Sequence, residues 1–250
     1  MIASFPMYLR AENRAAHTAY WALIRDALAA RGIPAPDTLD HDAPIAETWG
    51  RVDLVLGQIC GYPFRIGFSD KTTLIGAGDY GLPGAEPGDY YSVFVTRADD
   101  SRTTPQDFAH ARVAYNAPDS QSGWAAPMLY ATARGFAFTQ TIRTGSHRQS
   151  AMAVAENRAD LAALDAVTWM GIQQWDEFAR RLRVITHTAP TAGLSFITAG
   201  AVDPAPYLSA MQEALIALSQ IHKSTLGLKA IVPVTKARYM KFPIVPPPPM

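Results

Sequence analysis

Apolar positions along the chain recur with two periods, and the switch between them marks the elements. Ile2 to Phe5 is a short apolar run closed by Pro6, which suits a strand. Across 12–31, Ala16, Ala19, Tyr20, Leu23, Ile24 and Leu28 recur at helical spacing, and Gly32-Ile33-Pro34 ends the pattern. Val52 to Leu56 is a near-continuous apolar run, as expected of a strand buried on both faces, and it empties into a loop from Gly57 to Pro63. TTLIGAG at 72–78 reads as a further strand, and YYSVFVTRADD at 90–100 as another. Beyond Arg112 the alternation repeats. A strand leads to the loop NAPDSQSG, and an apolar helix follows from Trp124 to Tyr130. A strand from Thr139 to Arg143, a turn at Gly145-Ser146-His147, a helix near 149–157 and a strand from Leu161 to Leu164 come next. LRVITHT and LSFITAG are strands, Pro204 to Ile221 is helical, and the run 246–249 reads as unstructured.

Strands alternating with helices predict an α/β fold with mixed, mostly parallel sheets. The elements form two groups joined by few crossings. The expected division is one discontinuous lobe, 1–93 plus 194–250, and a second lobe, 97–190. Crossing strands are expected near 91–96 and 191–197. Such a two-lobed plan places a ligand cleft between the lobes, at the carboxyl ends of the strands.

Composition narrows the partners. The chain has 250 residues and is 48% hydrophobic, enough for a substantial core. Its formal net charge is zero, so nucleic acid is not an expected partner. The single cysteine excludes an internal disulfide, and the six histidines show no close metal-ligand spacing, so neither a metal nor a cofactor is expected. No apolar run reaches the roughly 20 residues needed to span a bilayer. MIASFPMYLR has no basic segment followed by a long apolar one, so it reads as the first strand and not as a secretory signal.

The candidate chemistry lies at the strand ends. In NAPDSQSG, small polar residues stand where a helix begins. A helix start presents unpaired N–H groups and a partial positive charge, which suits an anion. Ser120, Gln121 and Ser122 would add side-chain donors, while Asp119 is expected to cap the helix outside the ligand shell. Other strand exits bring Tyr8, Tyr62, Tyr91, His147 and Asp165. Each tyrosine also suits hinge packing. A carboxylate closing the apolar run LAALD is costly unless paired or solvated, which favours a site role for Asp165. Donors around one carboxylate suit a tetrahedral oxyanion that keeps a proton or carries an amine. No Arg or Lys falls in Ser120 to Gly123, so a Walker-type nucleotide site is excluded.

The pattern N-x-P-D-S-Q-S-G before a helix, followed by G-S-H-R-x-S-x-x-A-V-A and A-D-x-A-A-x-D-x-V-T-W, resembles the phosphate/phosphite/phosphonate-binding components of ABC importers. The resemblance runs from about Val52 through Trp169. It implies a type II periplasmic-binding-protein fold and a periplasmic location. It also implies a Ser-x-Ser turn, here Ser120, Gln121 and Ser122, holding a small oxyanion. His147 and Asp165 match the family's His and acidic contacts, and Tyr91 or Tyr62 its aromatic ones. Gln121 departs from the small hydroxyl residue often found at the middle position.

The reading is therefore a solute-binding protein, working as a monomer, that captures a phosphonate, phosphite or phosphate for an ABC importer permease and performs no chemistry. Two alternatives stand beside it. One is an enzyme on the same fold using His147 and Asp165 as acid and base. The other is a cytoplasmic small-molecule sensor.

Overall fold

The computed structural model describes residues 1–248. The chain forms two compact units: Met1–Asp89 with Ala192–Phe242, and the segment from Tyr90 through Thr191 with the residues from Pro243 onward.

The first unit is built on a five-stranded mixed sheet in the spatial order Ile2–Ser4, Leu54–Ile59, Ser195–Ala199, Thr72–Asp79, Ala230–Val232. Three strands share one direction, while Ser195–Ala199 and Ala230–Val232 run against them. The helix Arg14–Ala29 forms where the 3.6-residue pattern predicts and buries Ala16, Tyr20, Ile24 and Leu28 on one face, with Trp21 beside them. That face meets Ala3, Phe5 and Phe196 from the sheet and Met211 and Leu215 from the helix Ala205–Ala217. Tyr20 seals the contact by donating its hydroxyl to the Met211 carbonyl at 3.0 Å. Gly32, at φ 71°, supplies the left-handed turn that releases the chain.

Two expectations in this unit are corrected. The strand begins at Leu54, and Val52 is 95% exposed. Arg51 closes on Asp53 through two 2.8 Å hydrogen bonds and holds 52–53 in a turn ahead of the strand. The single helix expected over 204–221 is two, Ala205–Ala217 and Gln220–Leu226. Leu218 turns extended, and Ser219 restarts the helix by accepting from the His222 N–H.

The second unit holds another five-stranded sheet, in the order Gln140–Arg143, Arg112–Tyr115, Leu161–Asp165, Ser92–Arg97, Leu182–His187. Four strands share one direction and Ser92–Arg97 opposes them. Leu161–Asp165 is buried along its whole length, as its unbroken apolar run demands. Phe94, Phe108, Val113, Phe138 and Leu161 form the core beneath it. Ser92–Arg97, expected to cross between lobes, lies wholly inside this sheet, held on both edges. The end of the chain, expected in the first lobe, belongs here from Pro243 onward, where the Trp124 indole N–H donates to the Pro246 carbonyl at 2.9 Å. Of the run expected to be unstructured, 246–248 carries no helix or strand, and Pro249 lies outside the described residues. No helix among the described residues is long and apolar enough to cross a membrane.

Candidate functional site

The strand Arg112–Tyr115 ends at Asn116, and the chain then turns sharply. Ser120 N–H donates to the Ala117 carbonyl at 3.1 Å, and Ser120 itself is extended. Its Oγ accepts from the Gly123 N–H at 3.0 Å, and its carbonyl accepts from Trp124 and Ala125. Ser120 is thus the N-cap, in place of the expected Asp119. The reason is reach: an N-cap side chain serves the N–H three residues on, and the helix starts at Gln121. The first turn, Gln121–Ala125, is π-helical and runs directly into the α-helix Ala126–Thr132. Wide turns of this kind occur at functional sites, because they re-aim side chains.

Ser122 is anchored through both its side chain and its backbone. Its Oγ lies 2.8 Å from His147 Nε2. Its carbonyl accepts from Ser92 Oγ at 2.8 Å, and the Ser92 N–H in turn donates to Thr188 Oγ1 at 3.0 Å. A hydrogen-bonded chain from Thr188 through Ser92 and Ser122 to His147 therefore fixes the turn. Gly123 makes this packing possible. A Cβ there would lie 1.9 Å from Asn116 Oδ1 and 3.2 Å from His147 Cε1. Only a residue without a side chain lets Asn116 and His147 approach this closely.

The site is buried and carries little charge. Ser120, Gln121 and Ser122 are 6, 1 and 3% exposed. His147 opens the helix His147–Ala155, which Ser146 caps by accepting from the Gln149 N–H. Burial of the imidazole pushes its pKa down to about 4, against the upward pull of the Ala163 backbone carbonyl. At neutral pH the ring is uncharged.

Asp165 has a role that its position in the sequence did not disclose. Its Oδ1 accepts from the Val167 and Thr168 N–H groups at 2.8 and 3.1 Å, so it is the N-cap of the helix Ala166–Trp175. The register pairs Asp165 with Ser92, one link from Ser122. Tyr91 is adjacent: its carbonyl accepts from the Ala166 N–H, and its ring lies 4.6 Å from that of His187. Partial burial raises the Tyr91 phenol pKa.

Tyr62 and Tyr8 belong to the first unit. Tyr62 is buried beneath the Arg65 guanidinium, 5.2 Å from its ring centre. Tyr8 lines a cavity of about 20 Å³ with Phe5, His17, Tyr20, Gln58 and Tyr80. There His17 Nδ1 meets the Asn13 carbonyl at 3.2 Å, and burial pushes the His17 pKa down to about 4. Among the described residues no group of three His, Cys, Asp or Glu side chains is placed to hold a metal ion.

The structure thus joins Ser120, Gln121, Ser122 and His147 directly and sets Asp165 and Tyr91 beside them in the same unit. Sequence reasoning missed Ser92, Thr188 and Asn116. Ser92 had a faint signal, a small hydroxyl inside the apolar run YYSVFV.

Comparisons with known proteins bear on the family and the fold. Residues 73–239 match the family model described as ABC transporter, phosphonate, periplasmic substrate-binding protein. No curated protein sequence matches the chain. Among solved structures, PhnD1 from Prochlorococcus marinus in complex with methylphosphonate is similar at TM-score 0.69 and 15% identity, over 95% of this chain and 94% of that one. A binding protein component of an ABC phosphonate transporter from Pseudomonas aeruginosa gives TM-score 0.65 and 16% identity, over 95% and 83%. XAC2383 from Xanthomonas citri, bound to ATP, gives TM-score 0.65 and 17% identity, over 95% and 92%. The fold is the α/β type II periplasmic-binding-protein fold with two mixed sheets. The chain belongs to the phosphonate-binding periplasmic substrate-binding proteins of ABC transporters.

Proposed function

We propose that this protein captures a small phosphorus oxyanion, of the phosphonate, phosphite or phosphate class, at the turn Ser120, Gln121, Ser122, and releases it unaltered to an ABC importer permease. The observation that carries the reading is the pair Ser122 Oγ and His147 Nε2, 2.8 Å apart, with Ser122 on the first turn of a helix capped by Ser120 and His147 at the start of another. First-turn N–H groups lack an intrahelical acceptor, and two hydroxyls beside them complete a polar set for a tetrahedral anion. The relatives' solved structures, one in complex with methylphosphonate, support the ligand class. Asp165 and Tyr91 shape the adjoining wall.

A non-catalytic role is supported by the use to which Asp165 is put. Its Oδ1 holds two backbone N–H groups at the start of a helix, which gives the carboxylate a structural use of its own. We further propose that the protein works as a monomer in the periplasm, with a permease as its macromolecular partner.

Isothermal titration with methylphosphonate, phosphite, phosphate and sulfate tests the reading. A phosphorus oxyanion is expected to bind with a single site per chain and to be recovered unchanged after prolonged incubation. Absence of binding by all three phosphorus ligands, or recovery of a converted product, refutes it.

A further inference from the structure

The first turn of the site helix has an alternative that its own backbone would accept. The Ala125 N–H donates to the Ser120 carbonyl at 3.0 Å and the Ala126 N–H to the Gln121 carbonyl, each five residues back. An ordinary α-turn would pass the same two donors to Gln121 and Ser122, four residues back, and leave neither N–H unpaired. The wide turn therefore gains no helix bond, and a group outside the helix must hold it.

The Ser122 carbonyl identifies that group. The N–H groups of the following turn are engaged: Ala125 and Ala126 donate to earlier carbonyls, and the next residue, Pro127, has no N–H. Ser122 is 3% exposed, and a buried carbonyl left without a donor is destabilising. Its donor is Ser92 Oγ at 2.8 Å, and the direction is fixed because a carbonyl only accepts. Ser92 is itself buried and held on both sides. Its N–H donates to Thr188 Oγ1 at 3.0 Å, its carbonyl accepts from the Thr188 N–H at 2.9 Å, and its partner on the neighbouring strand is Asp165. The hydroxyl is thus delivered by a strand inside the sheet and not by a loop that could follow the turn.

Resting on the oxyanion reading above, we propose that Ser92 is a positioning residue for the ligand: together with Pro127 it keeps the turn π-helical, the register that sets Ser122 beside His147. Without the Ser92 hydroxyl, the wide turn carries a buried carbonyl with no donor, whereas an α-turn gives that carbonyl the Ala126 N–H. Undoing a one-residue insertion turns the residues ahead of it by about one helix position, roughly 100°. Ser122 Oγ would leave its place 2.8 Å from His147 Nε2, and the first-turn N–H groups would be re-aimed with it. Pro127 acts from the other side. In the wide register the donor for the Ser122 carbonyl would be the N–H of residue 127, and proline withholds it, so the carbonyl is left to the strand.

The test pairs isothermal titration of methylphosphonate with crystal structures of the unliganded wild-type, Ser92→Ala and Ser92→Thr chains. Ser92→Ala is expected to bind roughly tenfold more weakly or worse, and its Ala126 N–H should lie on the Ser122 carbonyl in place of Gln121. Ser92→Thr keeps the hydroxyl and should keep both the wild-type affinity and the wild-type bond. Ser92→Ala/Pro127→Ala restores an N–H five residues after Ser122, so part of the lost affinity should return. Wild-type affinity in Ser92→Ala overturns the proposal, as does weak binding with the Ala126 N–H still on Gln121. A loss in Ser92→Thr as large as in Ser92→Ala, or a double variant no better than Ser92→Ala, overturns it as well. Should Ser92→Ala fail to fold, Ser92→Cys, whose thiol is a weak donor, takes its place: it should bind more weakly than Ser92→Thr, and equal affinities overturn the proposal. Failure of the wild-type chain to bind methylphosphonate, phosphite or phosphate refutes the proposed function instead, while the acceptor of the Ala126 N–H in the Ser92→Ala structure still decides what holds the turn.

Discussion

Replacing Gly123 with alanine is the most economical test of how the cradle is built. The added methyl would sit 1.9 Å from Asn116 Oδ1, 3.0 Å from Asn116 Cγ and 3.2 Å from His147 Cε1. Asn116 must swing away, and His147 must retreat by a few tenths of an ångström. One extra carbon forced into a packed site costs about 1–3 kcal/mol. For a chain of this size that lowers Tm by about 2–4 °C for each kcal/mol. If the retreat breaks the Ser122–His147 bond, a further net loss of about 0.5–1.5 kcal/mol falls on the site itself. Affinity should then drop roughly two- to tenfold. Calorimetric melting gives the first quantity and isothermal titration the second. Gly67→Ala is the control, since a Cβ at that position would meet nothing within 4 Å and its φ is not positive. A Gly123→Ala protein that melts and binds like the Gly67→Ala control would show that the close approach of Asn116 and His147 is not a constraint, and the reasoning would fail.

Ser122→Ala removes a hydrogen bond to a charged ligand, worth about 1.5–3 kcal/mol, so binding should weaken roughly 10- to 150-fold by titration while the fold persists; equal affinity removes Ser122 from the site. Ser120→Ala deletes the N-cap of the helix that starts at Gln121, and urea unfolding should register a loss of about 1 kcal/mol. Asp165→Ala strips two backbone N–H groups of their acceptor and should cost about 1–2 kcal/mol in the same assay; an unchanged midpoint would show that the cap contributes nothing. Stability should also depend on pH through His147 and His17. Each has a folded pKa pushed down to about 4 from 6.5, so the unfolded chain binds more protons between those values. The contribution is complete above about 6.5 and is lost as pH falls toward 4, with a slope of about 1.4 kcal/mol per pH unit per histidine at most. His147→Gln and His17→Gln should each flatten that slope; identical slopes would place the histidines among solvated groups.

The elements with a strong period were legible from the chain alone. Arg14–Ala29 and Leu161–Asp165 form where their patterns place them, because burial along one helix face or along a whole strand leaves few alternatives. Boundaries set by local hydrogen bonds were not. The Arg51–Asp53 clasp displaces the start of a strand, and Ser219 splits a helix whose apolar spacing runs on without a break. In the cradle, the Ser-x-Ser turn and His147 stood out as residue types, yet their partners did not. Ser92 lies 30 residues from Ser122, and Thr188 lies 96 from Ser92. Such contacts are made by sheet order, which no local period encodes. Asp165 was conspicuous as a carboxylate in an apolar run. Which groups satisfy it became visible only once the following helix was in place.

The bond from the Trp124 indole to the Pro246 carbonyl has a practical corollary. Trp124 stands two positions past Ser122, and its ring lies 5.0 Å from that of Tyr115, the last residue of the strand that feeds the turn. Displacing the segment that carries Pro246 is expected to reach the turn through that carbonyl. Trp124 is one of five tryptophans, so the part of the emission that Trp124→Phe removes is expected to report whether the segment is seated.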